Sequence, residues 1–216
     1  MKVMVVDDEP DIVELFLLML DDPDYEVITA SGGNDCLEKL KHGVPDLILL
    51  DLIMPDLDGW EVLNRIRQDE RLKSIPVVIL TAKQLTADVA QKKAPHITEY
   101  LVKPVTKEGL ISVIEDITSS SRKLSDFIAA ARKAGVDQEM IDRYVKLNQQ
   151  TSAYKRLHTS LMQIYTKKRL KEEDSARNTM RSIERVLDLE GRNLEELHTR
   201  IGELVNASGQ LWQGFI

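Results

Sequence analysis

The sequence predicts an α/β domain, a doubly wound five-stranded parallel sheet, followed by an all-α helical hairpin or coiled coil. Three observations carry that expectation. Short, continuously apolar, β-branched runs alternate with helix-spaced segments through residues 1–118, as in a sheet covered on both faces. All seven prolines lie at or before Pro104, and proline interrupts helices, so long helices belong to the remainder. Beyond residue 137, apolar side chains recur at alternating threes and fours, the spacing of a helical seam.

The elements follow in order. Strands are expected at Val3–Val6, Val27–Thr29, Leu47–Leu50, Val77–Leu80 and Tyr100–Val102. Between the first two, Ile12, Leu15, Phe16 and Met19 share a helical face. Leu37 and Leu40 mark a second helix that ends at Gly43. Trp60, Val62, Leu63 and Ile66 mark a third, and a short helix is expected over 87–93. A fifth runs from Lys107 through Leu110, Val113, Ile114 and Ile117. Five strands alternating with five helices form a doubly wound domain. The run Thr118-Ser119-Ser120-Ser121 reads equally as a flexible linker and as a solvated turn of a longer helix.

The second half starts with a short amphipathic stretch, Phe127, Ile128 and Ala131. Gly135 suits a helix C-terminus and Asp137 the N-cap of the next helix. One seam then runs through Met140, Tyr144, Leu147, Thr151, Tyr154, His158, Leu161 and Tyr165. A turn is expected within the charged patch 167–178, capped by Asp174 or Ser175. A second seam follows: Met180, Ile183, Leu187, Glu190, Leu194, Leu197, Ile201, Leu204, Ser208 and Leu211. The chain therefore divides into 1–118, a helical connector 119–136, and a helical hairpin or coiled-coil domain 137–216. A lone hairpin would leave apolar seam wet, so a homodimer is expected.

Composition narrows the function. Charged residues make up 30% of the chain, and the apolar runs fall far short of the roughly 20 residues that span a bilayer. The single cysteine, Cys36, excludes an internal disulfide and a cysteine-rich zinc site. A cytoplasmic protein without a membrane segment is expected. Residues 1–120 carry a net charge of −11 and residues 121–216 a net of +4, within the total of −7.

The ends of the expected strands gather chemistry. The first ends in Asp7-Asp8-Glu9, the third in Asp51, the fourth in Thr81-Ala82 and the fifth in Lys103-Pro104. In a parallel sheet these ends open on one edge, where sites form. Carboxylates converging there repel one another and attract a hard divalent cation. Magnesium suits best, because it takes a few carboxylate oxygens and keeps waters for a phosphoryl group. The loop after Asp51 offers a backbone carbonyl as a further ligand.

Asp7-Asp8, Asp51 with Met54-Pro55-Asp56-Leu57-Asp58-Gly59, Thr81-Ala82 and Tyr100-Leu101-Val102-Lys103-Pro104 resemble the receiver domain of two-component response regulators. The resemblance covers residues 1 to 118, with every motif in order. It implies a flavodoxin-like fold and a phosphoacceptor signalling protein rather than an enzyme with a separate substrate. Asp51 would accept a phosphoryl group from a sensor histidine kinase. Asp7, Asp8, Asp51 and the Ile53 carbonyl would hold Mg2+, and Thr81 and Lys103 would stabilise the phosphoryl oxygens. Thr81 and Tyr100 would act as the switch pair, and the Lys103–Pro104 peptide would be cis. Two positions tune phosphoryl lifetime in the family, here Ile53 and Lys83, and an apolar Ile53 predicts slow autodephosphorylation. Many receivers carry a Gly-Ala pair before the last strand; this chain has Ala94-Pro95-His96-Ile97.

The output is less legible. Ala153-Tyr154-Lys155-Arg156-Leu157 through Tyr165 to Glu172 is loosely similar to helical output domains of archaeal receivers. The leading reading is a domain that dimerises or binds a downstream protein partner. The alternative is a transcriptional regulator whose basic face, Arg177, Arg181 and Arg185, binds DNA or RNA, although Glu172-Glu173-Asp174 interrupts that face. His158 and His198 read as ordinary seam or surface histidines, since neither precedes the acidic residue expected of a kinase histidine. Trp212 and Phe215 read as packing residues.

Overall fold

The computed structural model describes residues 1–81, 97–164 and 174–208. Two compact units divide between Val113 and Ile114. In the first, five strands form one parallel sheet: β1 (Lys2–Val6), β2 (Glu26–Ala30), β3 (Leu47–Asp51), β4 (Val77–Thr81) and β5 (Glu99–Val102). Their order is β2-β1-β3-β4-β5. β1 and β3 therefore lie side by side, Val3 against Leu47 and Val6 against Leu50, where the strand order reverses. Val3–Val6 and Leu47–Leu50 are buried, which their unbroken apolarity demands of central strands. The strands extend one or two residues past the expected runs, and β3 carries Asp51 as its last residue.

Helices α1 (Pro10–Met19), α2 (Gly33–His42) and α3 (Gly59–Gln68) join the strands. Pro10 opens α1 at a position where its missing N–H costs nothing. The buried face of α1 differs from the expected one: Phe16 is buried, whereas Leu15 is exposed along with Leu17 and Leu18. A helix with apolar residues on most of its circumference does not reveal its inner stripe by spacing alone. α3 buries Val62, Leu63 and Ile66 as its periodicity predicts. The short helix expected over 87–93, with Lys83, Pro95 and His96, lies outside the described residues.

Helix α4 runs unbroken from Lys107 to Lys133, so Ser119, Ser120 and Ser121 are a solvated stretch of helix and not a linker. The stretch expected as a connector supplies Phe127 and Ala131 to the core of the second unit. α4 stops at Gly135, whose φ of +76° suits a residue without a Cβ. The Gly135 and Val136 N–H groups close back on the Arg132 and Ala131 carbonyls at 3.1 and 3.0 Å. Asp137 then caps α5 (Gln138–Ile164), its Oδ2 accepting from the Glu139 and Met140 N–H groups at 3.0 and 3.3 Å.

α5 packs on α6 (Asp174–Ala207) as a helical hairpin. Asp174, one of the two expected caps, is the first described residue of α6. Ile141, Tyr144, Leu147, Thr151 and Ala153 are buried on α5, and Met180, Ile183, Leu197, Ile201 and Val205 on α6. The seam thus departs from the expected one at its ends. Ile141 is buried where Met140 was expected, and Val205 replaces Leu204, which is 44% exposed. Ile141 lies three residues before Tyr144 and Val205 four after Ile201, and since residues three and four apart share a helix face, spacing alone does not choose between each of them and its neighbour. Side chains at Leu161, and residues Tyr165, Leu211, Trp212 and Phe215, lie outside the described ones. Among the described residues no helix is long and apolar enough to cross a membrane.

Candidate functional site

The sheet edge at the strand C-termini assembles three of the expected side chains. Asp7 follows β1, Asp51 ends β3, and Lys103 follows β5. Lys103 Nζ donates to Asp7 Oδ2 at 2.6 Å and to Asp51 Oδ1 at 2.8 Å, a union of residues 96 and 52 positions apart. Asp7 is 2% and Asp51 5% exposed. The other oxygen of each carboxylate is held by the backbone: Ile53 N–H donates to Asp51 Oδ2 at 2.5 Å, and Glu9 N–H to Asp7 Oδ1 at 3.1 Å. The Lys103–Pro104 peptide is cis.

Electrostatics follow from this packing. Burial pushes the Asp51 carboxyl above the ordinary carboxylate range, and the Asp7 charge adds to that. The Lys103 bonds and the Ile53 N–H offset only part of it. Burial alone would lower Lys103, but its bonds to Asp51 and Asp7 win, and the ammonium is held above its usual value. Lys103 is therefore a fixed cation, and Asp51 a carboxylate whose charge costs more than usual.

Glycine at position 59 makes this placement possible. A Cβ there would meet the Asp51 carbonyl oxygen at 2.2 Å and Leu52 Cα at 2.8 Å. The Gly59 N–H bonds to the Leu52 carbonyl at 3.1 Å, and the Asp58 side chain caps α3 through the Glu61 N–H at 2.9 Å. The start of α3 thus presses directly on the backbone that carries Asp51. Gly59 and Asp58 stand in the motif, but their spacing alone does not signal this positioning role.

The remaining expected residues are distributed as follows. Asp8 is partly exposed beside Asp7, and Ile53 is 58% exposed in the turn after Asp51. Thr81 is the last residue of β4, in register with Val102; its side chain lies outside what is described. Tyr100 is buried in β5. Arg177 is ion-paired with Asp174, one turn before it, while Arg181 and Arg185 are exposed on α6.

The donor chemistry of the sheet edge fits a hard divalent cation. Two buried carboxylates share one ammonium, leaving an excess negative charge that Asp8 increases, and all the acidic donors are oxygens. Lys103 bridges the pair, and among the described residues no three acidic, histidine or cysteine side chains already stand in a ligating cluster.

Residues 3–115 match the response regulator receiver domain family, and residues 122–204 match Metanogen output domain 2. Response regulator Rre1 of Synechocystis sp. is 29% identical over 160 residues, 74% of this chain and 68% of that protein. The probable methanogenesis regulatory protein FilR2 of Methanothrix harundinacea is 42% identical over 94 residues, 44% of this chain and 56% of that relative. The structure of chemotaxis protein CheY4 from Vibrio cholerae is 31% identical with a TM-score of 0.50, covering 53% of this chain and 96% of that one.

Proposed function

The chain belongs to the response regulator receiver family, and from that premise we propose that Asp51 accepts a phosphoryl group from a sensor histidine kinase. The observation that carries the reading is the paired contact of Lys103 with Asp7 and Asp51 at the end of β3. An Asp51 oxygen attacks phosphorus, an acyl phosphate forms, and the phosphorus–nitrogen bond breaks with its electron pair leaving on the imidazole. Lys103 neutralises charge on the transferring group from a position set before it arrives. Asp7, Asp8, Asp51 and the Ile53 carbonyl are the groups that would hold Mg2+. When bound, the ion supplies Lewis-acid stabilisation of the phosphoryl oxygens.

The modified Asp51 carries nearly two negative charges, which Lys103 and the Thr81 hydroxyl are suited to meet. Differential contact with the two forms shifts a two-state equilibrium, with Tyr100 as the aromatic partner of Thr81. The helical unit is the output, dimerising or docking a protein partner. An exposed apolar Ile53 offers no group to position an attacking water, so the phosphoryl group decays slowly.

Intact-mass measurement after treatment with acetyl phosphate and Mg2+ tests the reading. The expected result is one added phosphoryl group on the wild-type chain and none on Asp51→Asn. Equal labelling of both chains, or no labelling of either by acetyl phosphate or a cognate kinase, overturns it. A half-life of seconds for the labelled protein would contradict the proposed role of Ile53.

A further inference from the structure

The loop between β3 and α3, residues 52–58, carries the turn that follows Asp51, and the bond from the Ile53 N–H to Asp51 Oδ2 ties it to that carboxylate. Its other end is fixed at α3, where the Gly59 N–H bonds to the Leu52 carbonyl and Asp58 caps the helix. A third support comes from α2. Gly33, the first residue of α2, is buried, and a Cβ there would meet the Leu57 carbonyl oxygen at 2.6 Å, Val62 Cγ2 at 2.7 Å and Leu57 Cβ at 2.8 Å. An ordinary contact begins at 3.4 Å, so a methyl group at 33 would have to open the 2.6 Å approach by about 0.8 Å.

Which side would yield follows from how each is held. The first turns of α2 are anchored. Asp35 accepts from the Ser31 N–H at 3.0 Å and from Lys39 Nζ at 2.7 Å, and Lys39 Nζ also reaches the Thr29 carbonyl at 2.8 Å. Cys36 and Leu40 fix the inner face of the helix in the core, which is too densely packed to give way. The loop has less to hold it: Pro55, Asp56 and Asp58 are exposed, and Leu57 is half-buried. The loop is therefore the side that moves, and it leads back to the Ile53 turn bonded to Asp51.

We propose that Gly33 is a positioning residue for Asp51: the missing side chain lets the first turn of α2 seat the 52–58 loop, and with it the Ile53 turn, against the sheet edge. The inference rests on Asp51 being the phosphoacceptor. Gly33 touches no reacting atom. It acts through the Leu57 backbone, as Gly59 acts through the Asp51 carbonyl. A displacement near 1 Å at a reacting group costs on the order of a hundred-fold in rate, which makes the close approach consequential.

Two readouts on the full chain test it: the rate of labelling by acetyl phosphate with Mg2+, and the Ile53 amide proton resonance of the unphosphorylated, metal-free protein. Gly33→Ala is expected to slow labelling about ten- to hundred-fold. It should also move the Ile53 resonance upfield as the bond to Asp51 lengthens. Gly43→Ala, just past the other end of α2 and with nothing within 4 Å of the added Cβ, should leave both as in the wild type. Adding Val62→Ala to Gly33→Ala removes the crowding by that side chain and leaves the carbonyl contact. Measured against Val62→Ala alone, the slow labelling and the shifted resonance should persist. Their full recovery would mean that Gly33 serves helix packing only, and it overturns the proposal. So does wild-type behaviour of a folded Gly33→Ala in either readout, or an equal effect of Gly43→Ala. Should Gly33→Ala fail to fold, the pair with Val62→Ala decides by the same two readouts. A wild type that takes no label removes the Asp51 reading instead, while the Ile53 resonance still tells whether Gly33 sets the loop.

Discussion

In the first unit the buried polar groups are ionised and answer one another: Asp7 and Asp51 share the Lys103 ammonium. In the second, Tyr144 bonds to His198 and the Thr151 hydroxyl is enclosed in the seam at 2% exposure. The first arrangement holds more acid than base, so it is built to take up positive charge or to respond when its charge changes. The second joins a phenol to an imidazole, and among the described bonds no charged side chain pairs with either ring. Under the proposed function the first cluster is the one that meets a phosphoryl group, and the difference between the two lies in what each buries beside its titratable group.

The sharpest way to break the contrast is to remove the cation from the first cluster. Lys103→Ala leaves two carboxylates buried without their partner and should destabilise the first unit by about 3–5 kcal/mol near neutral pH. The sign with pH is diagnostic. Lys103 is held above its ordinary value, so its contribution is present at neutral pH and is lost only as pH rises through that raised value. Asp51 is held high, and without Lys103 it should go higher, so protonation relieves the defect as pH falls. Denaturation of the variant should therefore show a loss that shrinks on acidification. A constant loss would mean that the lysine stem, and not its charge, does the work.

Phe127→Ala strikes the second cluster without touching charge. It removes a ring packed on two others and should cost the second unit about 3–5 kcal/mol, read by exchange of α5 and α6 amides. Protection in β1 and β3 should be unchanged, and a matching loss there would erase the distinction between the units. Asp137→Ala removes the α5 cap and should cost about 1 kcal/mol, read by chemical denaturation. The smallest effect has the opposite sign. Gly191 lies within α6 with open space where a Cβ would project, so Gly191→Ala should stabilise the second unit by about 0.5–1 kcal/mol.

Much of this was legible in the chain. Unbroken apolar runs at Val3–Val6 and Leu47–Leu50 mark central strands, and the acids that end them mark the functional edge. The caps at Gly135 and Asp137 follow from residue type alone. Three features were not legible. The inner face of α1 is hidden by its many leucines. The three serines at 119–121 tolerate both helix and linker, and only packing of Phe127 and Ala131 beyond them resolves the choice. His198 carries no local signal of its bond, because its partner lies 54 positions away.

By itself the sequence determined the periodicities, two for strands and near 3.6 for helices, the caps, and the residue types at each strand end, since these depend on neighbours along the chain. Only the tertiary structure decided that Lys103 bridges Asp7 and Asp51, that Gly59 presses on the Asp51 carbonyl, and that Tyr144 bonds to His198. Those contacts join positions brought together by sheet order and helix packing, and their energies depend on burial that no local spacing encodes.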